Sequence, residues 1–100
     1  MNLSISSQQI YFFNHHGYIA FESVLSPGEC DELEAHINAA LLSRIKRPLS
    51  RITAEEIYRE GRDLWREKED IKNFLLSRRL ASIALSLAGK SSLHLGFDQW

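Results

Sequence analysis

The reading of Ser91-Ser92-Leu93-His94-Leu95-Gly96-Phe97-Asp98-Gln99-Trp100 decides the fold class of this chain. Leu93, Leu95 and Phe97 alternate with His94, Gly96 and Asp98, and a period of two places alternate side chains on one face of a strand. The pattern predicts a strand running to Trp100. Upstream, Tyr18-Ile19-Ala20-Phe21-Glu22-Ser23-Val24 is rich in aromatic and β-branched residues and too short for a second helix after Gly17. It is predicted as the other strand.

Helical signals fill the rest. Ser6 with Gln9 three residues later forms a capping-box pattern, and Gly17 can supply a left-handed C-terminal cap, so a helix is expected from about Ser7 to His15. Ser26-Pro27-Gly28-Glu29 is the strongest local signal: the serine can cap the first-turn amides, Pro27 sits where its missing N–H costs nothing, and Glu29 completes the box. Behind it Cys30, Leu33, Ile37, Ala40, Leu41 and Ile45 recur mostly at helical steps, with Arg44, Lys46 and Arg47 near the negative end, until Pro48. Thr53-Ala54-Glu55-Glu56 opens a short helical turn interrupted by Gly61. The stretch from Asp63 to Leu76 offers Leu64, Ile71, Phe74 and Leu75 to a core, with Trp65 unplaced. Ser77 then caps a helix with Leu80, Ile83, Ala84 and Leu87 on one face, ended by Gly89.

The expected class is therefore α+β, in the order helix, strand, long helix, short helix, helix, helix, strand. Two strands separated by that much helix cannot form a hairpin; they would belong to a sheet whose other members lie elsewhere. One hundred residues could bury roughly 65% of the surface of the unfolded chain. The unpaired strands nevertheless predict an incomplete piece of a larger domain.

Apolar residues make up 44% and charged residues 25%, the balance of an ordinary soluble globular protein. No run approaches the ~20 apolar residues of a membrane span. Met1-Asn2-Leu3-Ser4 lacks the basic and apolar regions of a signal peptide, so a cytoplasmic location is expected. The single cysteine, Cys30, excludes an intramolecular disulfide and a cysteine-based metal cluster. The net charge of −1 argues against nucleic acid as a partner, although it conceals a −5 balance before Arg44 and +4 from Arg44 onward. Twelve basic residues face eight acidic ones in that second part, as either a face for an anionic partner or interleaved ion pairs.

Spacing decides against a metal site. A facial site on a strand takes a histidine followed two residues later by a carboxylate, and His15, His16, His36 and His94 are followed at that position by Gly17, Tyr18, Asn38 and Gly96. His94 and Asp98 would share a face about 13 Å apart, too far to grip one ion. His15-His16 suits the negative end of the first helix, and His36 falls on the polar side of the long one. Cys30 reads as a buried apolar thiol, with a reactive thiol as the alternative. Arg78-Arg79 can hold an anion or pair with a neighbouring carboxylate. No Walker loop, nucleophile elbow or glycine-rich dinucleotide fingerprint occurs, and no residue is assigned as catalytic. Asp98, Gln99 and Trp100 combine a carboxylate, an amide and an aromatic platform. They are either pocket residues or, for Trp100 and Asp98, a core side chain and a strand-end turn.

Ile10-Tyr11-Phe12-Phe13-Asn14-His15-His16-Gly17-Tyr18-Ile19-Ala20-Phe21 and Leu25-Ser26-Pro27-Gly28-Glu29 resemble the opening of the phytanoyl-CoA dioxygenase-like family of Fe(II)- and 2-oxoglutarate-dependent oxygenases. Phe74 to Ala84, Leu87-Ala88-Gly89 and Leu93 to Gln99 are similar to that family's helix before the first core strands. The resemblance implies that residues 1–100 are the N-terminal, helix-rich portion of one oxygenase domain, with two strands joining the sheet of a double-stranded β-helix of the jelly-roll or cupin-like kind. It implies Fe(II) and 2-oxoglutarate as cofactors of the parent enzyme, with a small-molecule substrate. The iron ligands and the basic residue for 2-oxoglutarate have no counterpart here, so these residues alone should bind neither cofactor and be inactive. Gln99 is the best-placed pocket contact, with Asp98 and Trp100 behind it. The rival reading is a non-enzymatic helical interaction module that pairs with a partner or itself through the apolar side of the helix from Leu80 to Leu87 or through the Leu93–Trp100 strand, which offers backbone groups for β-augmentation.

Overall fold

A computed structural model describes residues 4–100. These residues are 62% helical, and no strand occurs among them. Five α-helices follow in order: α1 Ser7–His16, α2 Pro27–Ile45, α3 Ala54–Glu60, α4 Glu69–Leu75 and α5 Arg78–Ala88. They fall into two units, one of residues 4–24 and 76–95 and the other of residues 25–75 and 96–100.

The expected helix starts are present as full capping boxes. The side chains of Ser6, Ser26 and Thr53 accept from the amides of Gln9, Glu29 and Glu56, and each of those side chains returns a bond to the cap amide. Each pair satisfies two of the donors that a helix start leaves unpaired. Ser77 caps α5 through the Leu80 amide, and Gly89 ends it in the left-handed conformation, as Gly17 ends α1.

In the unit of residues 25–75 and 96–100, α2 packs against α3 and α4. Ala40, Leu41, Leu64 and Ile71 are buried there, with Ile37, Ile45, Ile57, Trp65, Leu75 and Trp100 packed around them. Trp65 thus finds its place at the rim of this core. The expected helical stretch from Asp63 to Leu76 is broken, because Asp63 adopts a left-handed φ of 59° and a 3-10 turn at Leu64–Arg66 precedes α4. That kink turns Leu64 fully inward.

In the unit of residues 4–24 and 76–95, α1 packs against α5. None of its described residues is buried. Tyr11, Phe12, Tyr18, Leu76 and Leu93 are exposed.

Both predicted strands, and with them the α+β class and the β-helix sheet they were to join, are overturned. Residues 18–24 contain bends, with Ser23 at a left-handed φ of 57°, and form no ladder. Residues 92–98 have no regular structure, and Leu93 and Phe97, on the would-be apolar face, stay 50% and 56% exposed. Alternation marks a strand only where a neighbour satisfies the backbone groups and a second layer covers the apolar face. Neither is supplied here, and pairing is reduced to one isolated antiparallel bridge between Arg62 and Gln99.

Candidate functional site

The three residues singled out by sequence, Asp98, Gln99 and Trp100, lie where the chain returns to the helical core of residues 25–75. The Asp63 amide donates to the Asp98 carbonyl at 2.9 Å, and the Trp100 amide donates to the Gly61 carbonyl at 2.9 Å. These bonds flank the Arg62–Gln99 bridge, so those two residues face each other as a non-hydrogen-bonded antiparallel pair. Gln99 is exposed, and its amide nitrogen donates to the Tyr58 carbonyl at 2.8 Å. The Trp100 indole donates to Asp98 Oδ2, and its ring joins the apolar residues around the core. Asp98 is only 6% exposed, and its Oδ1 has no hydrogen-bond partner in the protein. The structure therefore brings Asp98 and Trp100 together and turns Gln99 toward α3. Arg62 stacks its guanidinium over Phe97 at 4.5 Å from the ring centroid, a cation–π contact on the outside of the strap.

Gly61 is what lets this segment approach. A Cβ at residue 61 would lie 2.6 Å from the Ile57 carbonyl oxygen and 2.9 Å from that of Trp100. Only the absence of a side chain leaves room for two backbones at this spacing.

Arg44, near the C-terminal end of α2, holds the same region from the other side. Its side chain is 18% exposed. The guanidinium donates to the carbonyls of Glu60 (2.6 Å), Arg62 and Asp63 (3.1 Å), and grips both oxygens of Glu67 at 3.1 Å each. A planar fork with five donors is the one side chain that can satisfy a turn's carbonyls and a carboxylate together. The bond from Arg44 holds the Glu67 carboxyl below the ordinary glutamate value. Arg47 does the same to Glu56, helped by the Thr53 amide. Sequence reading did not single out Arg44, because its partners are 16 to 23 residues away. Arg44, Arg47, Arg59 and Arg66 each have a carboxylate partner within the same unit, so these four of the twelve basic residues from Arg44 onward are ion-paired.

The other candidate residues scatter. Cys30 is exposed, against the expectation of a buried thiol. His36, on the polar side of α2, is half-buried, with Nδ1 3.5 Å from Asp70 Oδ2. Arg79 donates to the Val24 carbonyl at 2.9 Å. Along α1, His15 stacks on Tyr11 at 5.6 Å between centroids and His16 meets Phe12 at a tilt, 4.3 Å between centroids. Phe12 also meets Tyr18 edge-on at 5.7 Å. Beside this ring cluster runs an open groove of about 740 Å³, lined by Ser6, Gln8, Gln9, Phe12, Tyr18, Ile19 and Ala20. It offers two aromatic faces, two side-chain amides and the hydroxyls of Ser6 and Tyr18. Such a lining can hold an uncharged surface.

Among the described residues no group of three or more histidine, cysteine, aspartate and glutamate side chains could hold a metal ion. The Fe(II) implied by the resemblance therefore finds no fitting donor set in these residues. No described helix is long and apolar enough to cross a membrane. Comparison of the chain with family models, with curated proteins and with solved structures finds no match.

Proposed function

We propose that this chain is the N-terminal, helix-rich segment of a cytoplasmic Fe(II)- and 2-oxoglutarate-dependent oxygenase resembling the phytanoyl-CoA dioxygenase family. It buttresses the catalytic core and substrate pocket of the parent enzyme and is inactive by itself. The observation that carries the reading is the sequence resemblance from Ile10 to Glu29, an aromatic helix, Gly-Tyr, an apolar stretch and a Ser-Pro-Gly-Glu helix start. The helical part of that arrangement supports it: α1 ends at Gly17, residues 18–25 are non-helical, and Ser26 caps a 19-residue helix.

In such an enzyme the iron with 2-oxoglutarate supplies oxygen activation for C–H hydroxylation. In this reading the cofactors are held by the rest of the parent enzyme, and the part of these residues is mechanical. Arg44 and the Asp98–Trp100 strap fix the direction in which the chain leaves the helical unit, with Gln99 as the nearest candidate for a pocket contact.

The test is the reading frame after the Trp100 codon. A frame encoding His-x-Asp, with His and Arg well downstream, is expected; an immediate stop codon contradicts the proposal. The chain alone should form no succinate from 2-oxoglutarate and Fe(II) above background, and turnover would contradict the absence of a metal site from it. One observation favours a second reading, an interaction module without enzymatic activity: Tyr11, Phe12 and Tyr18 are exposed in a unit with no buried described residue. An immediate stop codon would support that reading.

A further inference from the structure

The strap of residues 96–100 belongs to one unit of the fold, while the chain leading into it, residues 76–95, belongs to the other. Between the end of α5 and the strap lie residues 89–95, without regular structure and exposed except for half-buried Leu95. Extended, seven residues span roughly 24 Å. The strap is held on Tyr58–Asp63 and the apolar core beside them: Gln99 donates to the Tyr58 carbonyl, the Trp100 amide to the Gly61 carbonyl, the Asp98 carbonyl accepts from the Asp63 amide, Phe97 lies under Arg62, and the Trp100 ring packs on the core. The dock is thus fitted to a segment reached only through a long excursion of the same chain.

We propose that the strap is exchangeable, so that residues 96–100 of one copy dock onto Tyr58–Asp63 of a second copy and give a reciprocal dimer. The occupant is fixed by self-complementarity: the dock already fits this sequence, and a second copy presents the same five residues with the same bonds. Exchange costs no contact, because each bond lost within a chain is remade between chains; only the course of residues 89–95 changes. Swapping an identical element across a hinge is a low-cost route to a dimer. The unit that carries the hinge adds little resistance, since none of its described residues is buried and such a region opens locally at small cost. Trp100 and the unfilled position at Gly61 give the exchange its specificity, and Arg44 holds the dock's carbonyls in place in either arrangement. The inference stands or falls separately from the oxygenase reading.

Arg62 and Gln99 provide the test, because opposed residues of an antiparallel pair lie within the Cα separation that a disulfide spans. In the full chain with Arg62→Cys, Gln99→Cys and Cys30→Ser, oxidation at micromolar protein should yield an internally bridged monomer. Raising the protein a hundredfold before oxidation should yield a covalent dimer on a non-reducing gel, lost when Trp100→Ala is added. Monomer at every concentration, or a dimer indifferent to Trp100→Ala, overturns the proposal. Sedimentation equilibrium on the unsubstituted chain gives a reading free of engineered cysteines: a mass rising toward twice 11.5 kDa with concentration is expected, and a constant monomer mass overturns the exchange.

Discussion

Helices α2 and α5 differ in a way that separates the two halves of the molecule. α5 gathers Leu80, Ile83, Ala84 and Leu87 on one side, as the sequence pattern predicts, yet none of its residues is buried. α2 segregates its apolar residues less sharply and still buries Ala40 and Leu41. The difference lies in what each helix meets: α2 packs against both α3 and α4, with Leu64 turned in beside them, whereas α5 packs against α1. Burial is a property of layers in contact, and an amphipathic face only makes it available.

If this is right, the two halves should respond unequally to the same kind of damage. The largest effect is expected at Ile71, which is fully buried: Ile71→Ala should cost about 2–5 kcal/mol in urea denaturation, whereas Ile83→Ala in α5 should cost about 1 kcal/mol or less. Equal losses would break the contrast. Gly61→Ala comes next, at about 1–3 kcal/mol, because its Cβ must displace the Trp100 carbonyl or the end of α3. A red-shifted tryptophan emission under native conditions would report release of Trp100.

A smaller and more local effect should follow from the caps. Ser26→Ala and Ser6→Ala each remove one half of a capping box and should each weaken their own helix by about 1 kcal/mol. Faster amide exchange at the start of α2 alone, or of α1 alone, would sharpen the division into two units. Simultaneous loosening of both helices by either substitution would erase it.

Acid should act on one half as well. Glu56 and Glu67 are held below the ordinary glutamate value by Arg47 and Arg44, so each adds stability that is complete above that value. That contribution disappears as the pH falls through the lowered values. Both carboxylates lie in the unit of residues 25–75 and 96–100, while Glu22 is the one carboxylate side chain among residues 4–24 and 76–95. Acid titration of Glu67→Gln should lack part of the loss seen in the unsubstituted chain; identical profiles would contradict the Arg44 pairing.

What was legible in the sequence was whatever a few adjacent residues decide by themselves. Ser6, Ser26 and Thr53 with their partners three residues on set three helix starts, and Gly17 and Gly89 set two ends, because capping is satisfied within one turn. The strands failed because period two at residues 93–98 states a face without supplying the neighbour that would cover it. Asp98, Gln99 and Trp100 were legible as residue types, but their partners Tyr58, Gly61 and Asp63 were not, since nothing local announces a contact across some 40 positions. The Arg44 fork was hidden for the same reason. Its identity reads as one more cation at a helix end until the turn carbonyls come into view.

The central claim is that residues 25–75 with 96–100 carry the core and residues 4–24 with 76–95 do not. Native-state hydrogen exchange on the full chain measures this directly. Amides of α2 and α4 around Ala40, Leu41 and Ile71 should be protected to the level of global unfolding, and those of α1 and α5 should exchange through much cheaper local openings. Protection of α5 equal to or greater than that of α2 would contradict the account.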